Sequence, residues 1–222
     1  MKFDEFRLAA SVADLDREPA ARDDADLLEF RMDLADDPLA ALADYDGVLP
    51  ILATNRAEWE GGEADGSGRL DDLATAAEHD DVVAVDVELN AVRHGDGAGV
   101  LAHAREHGAT AVVSVHEFEG TPPADDLRST LADAVEHGDV GKLAVTAEDP
   151  ADVLTLLMLT REFTARGERV ATMAMGAVGR HSRAVAPVYG SKLGYAPVDP
   201  DEATAPGQYD LATLRELVEQ LW

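Results

Sequence analysis

The feature that most constrains this chain is the alternation of short apolar runs with stretches of helical spacing. Eight runs of strand length recur along the 222 residues, at 6–12, 26–33, 47–55, 82–90, 110–118, 141–149, 169–176 and 193–199. The stretches between them carry apolar residues at the spacing of amphipathic helices. Eight strand–helix units in a chain of this length predict a (β/α)8 TIM barrel, a single α/β domain over residues 1–222. A doubly wound open sheet is the alternative, because the run at 193–199 is weak and barrel closure leaves no mark in a sequence.

The charge balance limits the partners of this chain. It carries 45 acidic and 18 basic residues, a net charge of −27 at pH 7. Such a surplus argues against binding to nucleic acid or to an anionic membrane, both of which need basic patches. The acidic residues are interleaved with Ala, Val and Leu along the whole chain, and only three lysines stand against 15 arginines. This pattern is typical of proteins that work in high salt, where self-repulsion is screened, and it predicts a halophilic source.

Other sequence features bear on cellular location. The chain has no cysteine, which excludes disulfides and thiolate metal sites. Its longest apolar runs are too short for a transmembrane helix, and its polar start does not resemble a signal peptide. We therefore expect a cytoplasmic protein.

Four of the predicted strands place polar side chains on one face. Successive side chains of a strand point to opposite faces, so one apolar set in each run can pack against the covering helices. The opposite set comprises Glu29, Arg31 and Asp33, then Asp86, Glu88 and Asn90, then Ser114 and His116, then Lys142 and Thr146. In a barrel that face is the lumen, whose C-terminal mouth holds active sites. A half-solvated antiparallel sheet would alternate in the same way, but the intervening helices favour parallel crossovers.

Lys142 is the most informative residue of this set, because a buried ammonium is costly unless it is paired or loses its charge. Together with His116 on the neighbouring strand, it supplies the nucleophilic amine and the acid–base partner that Schiff-base chemistry needs. Either residue alone is as often structural as functional. Metal-dependent hydrolysis would need paired histidine ligands, whereas most histidines lie on helical stretches or loops, namely His79, His94, His103, His107 and His137. The segment 175–182 resembles a phosphate-binding loop only loosely.

Six short motifs occur in the order found in one known family. They are EFRMD (29–33), TNRAEWEGG (54–62), SVHEFEGTP (114–122), GKLAV (141–145), MGAVGRHSR (175–183) with YGS (189–191), and TAPGQ (204–208). Each motif alone is weak, but the ordered set resembles the type I 3-dehydroquinate dehydratases of the shikimate pathway. The resemblance extends from Ser11 to Gln208.

The resemblance implies an activity and a set of site residues. It implies dehydration of 3-dehydroquinate to 3-dehydroshikimate through an imine on Lys142, with His116 as general base and then general acid. Glu60 would orient His116 and raise its basicity. The resemblance implies that Arg183 and Gln208 hold the substrate carboxylate, between apolar walls formed by Met175 and Tyr195. The ring hydroxyls and carboxylate would be bound by Glu29, Arg31, Arg56 and Thr204, with a further contact from Ser11. It implies no cofactor, no metal and a homodimer, in aromatic amino-acid biosynthesis.

The sequence departs from the family pattern at three places. Thr204 replaces the usual serine but keeps the hydroxyl. The stretch GSKLGY lacks a threonine that often precedes the aromatic residue, which leaves the role of Tyr195 open. The N-terminus is short, so we expect the hairpin that closes the barrel bottom in longer relatives to be reduced or absent.

Two other functions fit the predicted site. One is another Schiff-base barrel, an aldolase acting on a phosphorylated sugar. The other is a catalytically silent barrel that binds a carboxylate ligand. A turnover assay with 3-dehydroquinate distinguishes these two functions from the dehydratase.

Overall fold

Eight parallel strands form the centre of the molecule. The computed structural model describes residues 1–66, 68–202 and 205–221. The strands in that part of the chain are β1 (Arg7–Val12), β2 (Leu27–Arg31), β3 (Ile51–Thr54), β4 (Val82–Glu88), β5 (Thr110–Glu117), β6 (Val140–Thr146), β7 (Val170–Met175) and β8 (Leu193–Pro197). All eight predicted runs are confirmed. The third is shorter than predicted because Pro50, which has no N–H to donate to a ladder, precedes it.

Helices follow the strands and cover the sheet. Within the described residues they are α1 (Glu18–Ala21), α2 (Pro38–Ala43), α3 (Arg69–Ala76), α4 (Leu89–His94), α5 (Gly97–Glu106), α6 (Ala124–His137), α7 (Pro150–Ala165), α8 (Gly176–Gly179), α9 (Ser182–Val185) and α10 (Leu211–Leu221). The start of α7 shows how the sequence sets these boundaries. Asp149 accepts hydrogen bonds from the N–H groups of Ala151 and Asp152, and Asp152 accepts one from the N–H of Asp149. This is a capping box in front of a proline at the first helical position.

The strand order makes the sheet a barrel. Strands β1 to β7 are paired consecutively and in parallel, and β8 pairs with β1 through Arg7–Leu193 to Ser11–Pro197. At the seam between β7 and β8, the Lys192 N–H donates to the Val170 carbonyl at 2.8 Å and the Thr172 N–H donates to Ser191 Oγ at 3.0 Å. In the second of these hydrogen bonds, the Ser191 hydroxyl is the acceptor in place of the backbone carbonyl that pairs neighbouring strands elsewhere in the barrel. The consecutive order confirms the predicted (β/α)8 barrel and is not that of a doubly wound sheet.

The barrel lumen is apolar at its lower end and polar at its upper end. Phe3 is 1% exposed and packs with lumen residues from the starts of the strands, namely Ala9, Leu27, Leu52, Ala84, Val112, Val140, Ala171 and Leu193. The segment before β1 lies across this end, where the Thr110 hydroxyl donates to the Met1 carbonyl and Arg169 pairs with Asp4 at 2.6 Å. A single phenylalanine therefore fills the base, and no strand precedes β1 in the described chain. None of the described helices is long and apolar enough to cross a membrane.

Candidate active site

A cavity opens at the carboxyl ends of the strands. Most of its lining residues come from strand ends or from the loops that follow. They are Glu29, Arg31, Thr54, Arg56, Glu60, Gly61, His116, Phe118, Lys142, Ala144, Met173, Met175, Arg183, Tyr195, Ala205 and Gln208. The alternation of polar and apolar side chains along the strands places the polar residues on this inner face. The C-terminal mouth of the barrel is where barrel enzymes bind their substrates.

Lys142 lies at the bottom of this cavity and is 4% exposed. Its Nζ lies 2.9 Å from Asp86 Oδ2 on β4 and 4.3 Å from the ring centre of Tyr195 on β8. Both contacts suit a cation, the first by charge and the second through the negative face of the ring. The amino group therefore has a charged partner and an aromatic wall, and it faces the cavity.

Asp86 is the centre of a buried charge network. Its carboxylate accepts hydrogen bonds from Ser114 Oγ at 2.6 Å and from Lys142, and it pairs with Arg56 at 2.7 Å. Burial works to raise the pKa of Asp86, but Arg56, Lys142 and the Ser114 hydrogen bond outweigh it and hold the pKa far below its usual value. Asp86 is thus a fixed anion beside the lysine. Burial works to lower the pKa of Arg56, but the carboxylates of Asp86, Glu88 and Glu60 outweigh it and raise that pKa.

His116 and Glu60 form a directed pair beside Lys142. Glu60 Oε1 lies 2.9 Å from His116 Nδ1 and also accepts the His116 backbone N–H at 2.9 Å. Because Oε1 accepts the backbone proton, we assign the ring proton to Nδ1, which leaves the Nε2 lone pair free. Burial, Arg56 and Lys142 lower the pKa of His116 well below 6.5, so the resting imidazole is neutral. Burial also raises the pKa of Glu60 to about 8.

The glycines after Glu60 explain how this carboxylate reaches His116. Gly61 has φ +80°, and a Cβ there would lie 2.6 Å from the ring of Phe118. A Cβ on Gly62 would lie 2.0 Å from the Arg56 carbonyl oxygen, closer than any side chain tolerates. The turn therefore folds back onto Arg56 only with glycine at both positions. This tight turn is the physical reason for the EGG motif.

Arg183 stands at one side of the cavity, and no carboxylate among the described residues forms an ion pair with it. It is 5% exposed, and within the described part of the chain its Nε makes no hydrogen bond. Burial lowers its pKa to about 10, against the weak opposing pull of Glu29. A buried guanidinium in this condition is a site for an anionic ligand, which it can bind with two parallel hydrogen bonds. Gln208 lines the same region, and its Oε1 accepts the Ala205 N–H at 3.1 Å.

Glu29 and Arg31 form the polar wall nearest β1 and β3. Glu29 accepts hydrogen bonds from Ser11 Oγ at 2.6 Å and from Thr54 Oγ1 at 3.3 Å. Arg31 pairs through two hydrogen bonds with Asp33, at 2.6 and 2.8 Å. Ser11 lies behind Glu29 and does not line the cavity, so it positions that carboxylate.

The structure brings together nearly all residues that the sequence singles out. Lys142, His116, Glu60, Glu29, Arg31, Arg56, Arg183, Gln208, Met175 and Tyr195 line one cavity, with Ser11 directly behind it. Thr204 lies outside the described residues. The lining residues that the sequence analysis did not assign to the site are Thr54, Gly61, Phe118, Ala144, Met173 and Ala205. Asp86 and Ser114, which it placed on the polar lumen face without a role, lie beneath the lining. Strand alternation already places Asp86, Ser114 and Ala144 on the lumen face, and the same count from Leu52 and Met175 would have found Thr54 and Met173.

Comparison with known proteins finds a family that matches nearly the whole chain. Residues 10–221 match the family model of type I 3-dehydroquinase. The 3-dehydroquinate dehydratase of Haloarcula marismortui is 63% identical over 225 residues, covering 100% of this chain and 98% of its own. The protein of the same name from Halobacterium salinarum is 57% identical, covering 100% of both chains. Both come from halophilic archaea, in agreement with the charge pattern.

Solved structures give the same result for the fold. The crystal structure of 3-dehydroquinate dehydratase from Geobacillus kaustophilus superposes with a TM-score of 0.87 at 28% identity, covering 98% of this chain and 91% of its own. The type I 3-dehydroquinate dehydratase from Clostridium difficile, solved with covalent modified comenic acid, gives a TM-score of 0.82 at 26% identity, covering 98% and 93%.

Proposed function

The chain belongs to the type I 3-dehydroquinase family, a family of hydro-lyases, and on that premise we propose that it converts 3-dehydroquinate to 3-dehydroshikimate and water through an imine on Lys142. The observation that carries the proposal is the placement of one buried lysine between a fixed anion, Asp86, and a neutral histidine, His116, in a single cavity. The reaction would serve aromatic amino-acid biosynthesis, as in the shikimate pathway.

The imine is the electron sink of the proposed mechanism. The unprotonated Lys142 amine adds to the substrate ketone, and loss of water gives the imine. The protonated imine keeps the positive charge that the lysine ammonium had. Asp86, at 2.9 Å from Nζ, and the face of Tyr195 then stabilise it in the same place. The positive charge draws electron density from the neighbouring carbon and makes its proton removable.

His116 moves the protons in this scheme. Its neutral Nε2 takes the proton from the carbon next to the imine, giving an enamine, and the resulting imidazolium then protonates the departing hydroxyl. Nδ1 stays hydrogen-bonded to Glu60 throughout, which holds the ring plane. Hydrolysis of the product imine returns the lysine. The two proton transfers need no protein group other than His116.

Substrate orientation comes from the charged walls. Arg183 and Gln208 bind the substrate carboxylate, because Arg183 is a buried cation of the lining that forms no ion pair with a carboxylate in the described part of the chain. Glu29, Arg31, Arg56 and Thr204 bind the ring hydroxyls and the carboxylate. Met175 and Tyr195 form the apolar walls.

An aldolase acting on a phosphorylated sugar fits less well. That alternative needs the segment 175–182 to present free N–H groups to a phosphate. The Gly176 N–H instead donates to the Pro206 carbonyl at 3.1 Å, and α8 is only four residues long.

Turnover is tested by following the ultraviolet absorbance of the conjugated product after addition of 3-dehydroquinate. We expect turnover by the wild type and none by Lys142→Met. The matched control is Lys192→Met, at a lysine outside the cavity, which should keep wild-type turnover. Full activity of Lys142→Met would overturn the proposal.

The covalent step is tested by borohydride reduction. The chain has only three lysines, Lys2, Lys142 and Lys192, so peptide mapping assigns an adduct without ambiguity. Borohydride added together with 3-dehydroquinate should inactivate the enzyme and add ligand mass to the peptide with Lys142, whereas borohydride alone should do neither. An adduct on Lys2 or Lys192, or turnover with no adduct, contradicts the mechanism.

A further inference from the structure

A cluster of metal-ligating side chains lies at the opposite end of the barrel from the cavity. Glu78 lies in the turn between α3 and β4, and His103 and His107 lie at the end of α5, which leads into β5. In this fold the helices end where the strands begin, so the cluster is on the bottom face. One ligand atom from each of the three residues lies within 4.8 Å of the other two.

The backbone holds these three side chains in place. His103 and His107 are one helical turn apart and share a face, with ring centres 4.6 Å apart. The His107 N–H donates to the carbonyls of His103 and Ala104, and the chain then turns at Gly108 with φ +83°. The Glu78 N–H donates to the Thr75 carbonyl, and Glu78 Oε1 lies 3.0 Å from His103 Nε2. Little backbone reordering would therefore accompany binding.

The chemistry of the cluster selects a particular class of ion. Two imidazoles and one carboxylate are ligands that zinc and its neighbours in the first transition series prefer, at about 2.0–2.2 Å from the metal. Those bond lengths place tetrahedral ligands roughly 3.4 Å apart. The three ligand atoms already lie within 4.8 Å of one another, and Glu78 and His107 are exposed and His103 is half-buried, so the side chains have room to rotate to that spacing. The cation would also lie at the negative end of the α5 dipole, on a chain of net charge −27.

We propose that Glu78, His103 and His107 bind one zinc ion or a similar divalent transition metal, which clamps the turn after α3 to the end of α5. Three protein ligands leave the fourth position to water. The site is separate from the proposed catalytic machinery, because its ligands lie at the starts of β4 and β5, whereas the cavity is at the strand ends. Its expected effect is on stability and not on turnover.

Zinc chloride titrated calorimetrically into the full-length protein tests the proposal, in molar KCl after treatment with a chelator. We expect one zinc per chain at this site. Replacing a ligand, in His103→Ala or His107→Ala, should weaken binding by more than the roughly 10–100-fold typical of losing a group that only hydrogen-bonds a ligand. The matched control is His137→Ala, at a helical histidine that pairs with Asp133, which should bind zinc as the wild type does.

A second measurement guards against general binding of zinc to acidic side chains. Saturating zinc should raise the thermal midpoint of the wild type and of His137→Ala, and leave that of the double variant His103→Ala/His107→Ala unchanged. Turnover should be the same with and without zinc in the wild type. Equal zinc affinity, or an equal midpoint shift, in the double variant and the wild type would overturn the proposal.

Discussion

At the scale of single residues, His116 has one assigned task, proton transfer, and a substitution can separate it from imine formation. We expect His116→Ala to lower kcat by roughly 10²–10⁴-fold with a much smaller change in KM. The lysine and its Asp86 partner remain, so borohydride with ligand should still mark Lys142. The surface variant His137→Ala serves as the control. Near-normal kcat in His116→Ala would show that the acid–base assignment is wrong.

Glu60 gives the molecule a recognisable dependence of stability on pH. Its pKa rises from 4.5 to about 8 on folding because the carboxyl is buried. The folded state therefore binds more protons than the unfolded state between these values, and stability falls as pH rises. We expect the unfolding free energy of the wild type to fall, relative to Glu60→Gln, by up to about 1.4 kcal/mol per pH unit in this window.

Chemical unfolding of both proteins at fixed molar KCl, at several pH values from about 4.5 to 8, measures this difference. Taking the difference cancels the opposite slope of His116, whose lowered pKa makes stability rise with pH below 6.5. In the Glu60→Gln variant the new amide oxygen can still accept both hydrogen bonds of His116, so the fold is retained. If the unfolding free energies of the wild type and of Glu60→Gln change with pH in parallel, Glu60 does not titrate as described.

Individual residues also show how much of the site a sequence can reveal. Lys142 and His116 stand out because charge on an apolar strand is costly, and the motifs then add Glu60 and Arg183. The sequence does not reveal in the same way that Asp86 lies at the centre of the buried charge network. It depends on the register that sets Asp86 of β4 beside Val112 of β5, and Ser114 beside Lys142 of β6. Register across a barrel is a property of closure, which no single strand encodes.

At the scale of elements, one buried ion pair holds the loop that supplies two site residues. Arg69, at the start of α3, is 6% exposed, pairs with Glu88 of β4 at 2.9 Å and donates to the Asn55 carbonyl at 3.0 Å. Glu88 in turn accepts the Ala57 N–H at 3.0 Å. Helix, strand and loop are joined at this point, and the loop between Asn55 and Gly61 carries Arg56 and Glu60.

Replacing Arg69 by methionine should therefore damage both stability and catalysis. It leaves Glu88 buried with one cation fewer, which typically costs about 3–5 kcal/mol, and it frees the loop that positions Arg56 and Glu60. The control is Arg105→Met, whose exposed pair with Asp139 is worth at most about 1 kcal/mol. Unfolding free energy and kcat measure the two effects. Equal losses of stability in the two variants would contradict this account.

The elements themselves are well predicted where periodicity is strong and poorly predicted where contacts are non-local. The alternation locates all eight strands to within a few residues, even the weak run that becomes β8. It does not reveal that Phe3 fills the barrel base, because a lone aromatic residue near a terminus carries no periodic signal. It also does not reveal that Ser191 completes the seam between β7 and β8, since that contact depends on both strands being in place.

At the scale of the whole molecule, the homodimer stays a prediction, whereas the charge has a direct physical consequence. The net charge of −27 is spread over one compact barrel, so its carboxylates repel one another within short distances. Ion pairs such as Arg128–Glu162 and Arg169–Asp4 offset only part of this repulsion. The unfolded chain spaces the same charges farther apart. Low salt should therefore favour unfolding.

Potassium chloride should raise the thermal midpoint, because the screening length falls from about 10 Å at 0.1 M to about 3 Å at 1 M. Thermal melts across this range measure the effect. Sucrose is the control, since it stabilises compact states by exclusion from the surface without screening charge, and it should not replace salt at low ionic strength. A midpoint that is unchanged between about 0.1 M and molar KCl would show that surface repulsion does not limit this fold, and the high-salt interpretation of its composition would then be wrong.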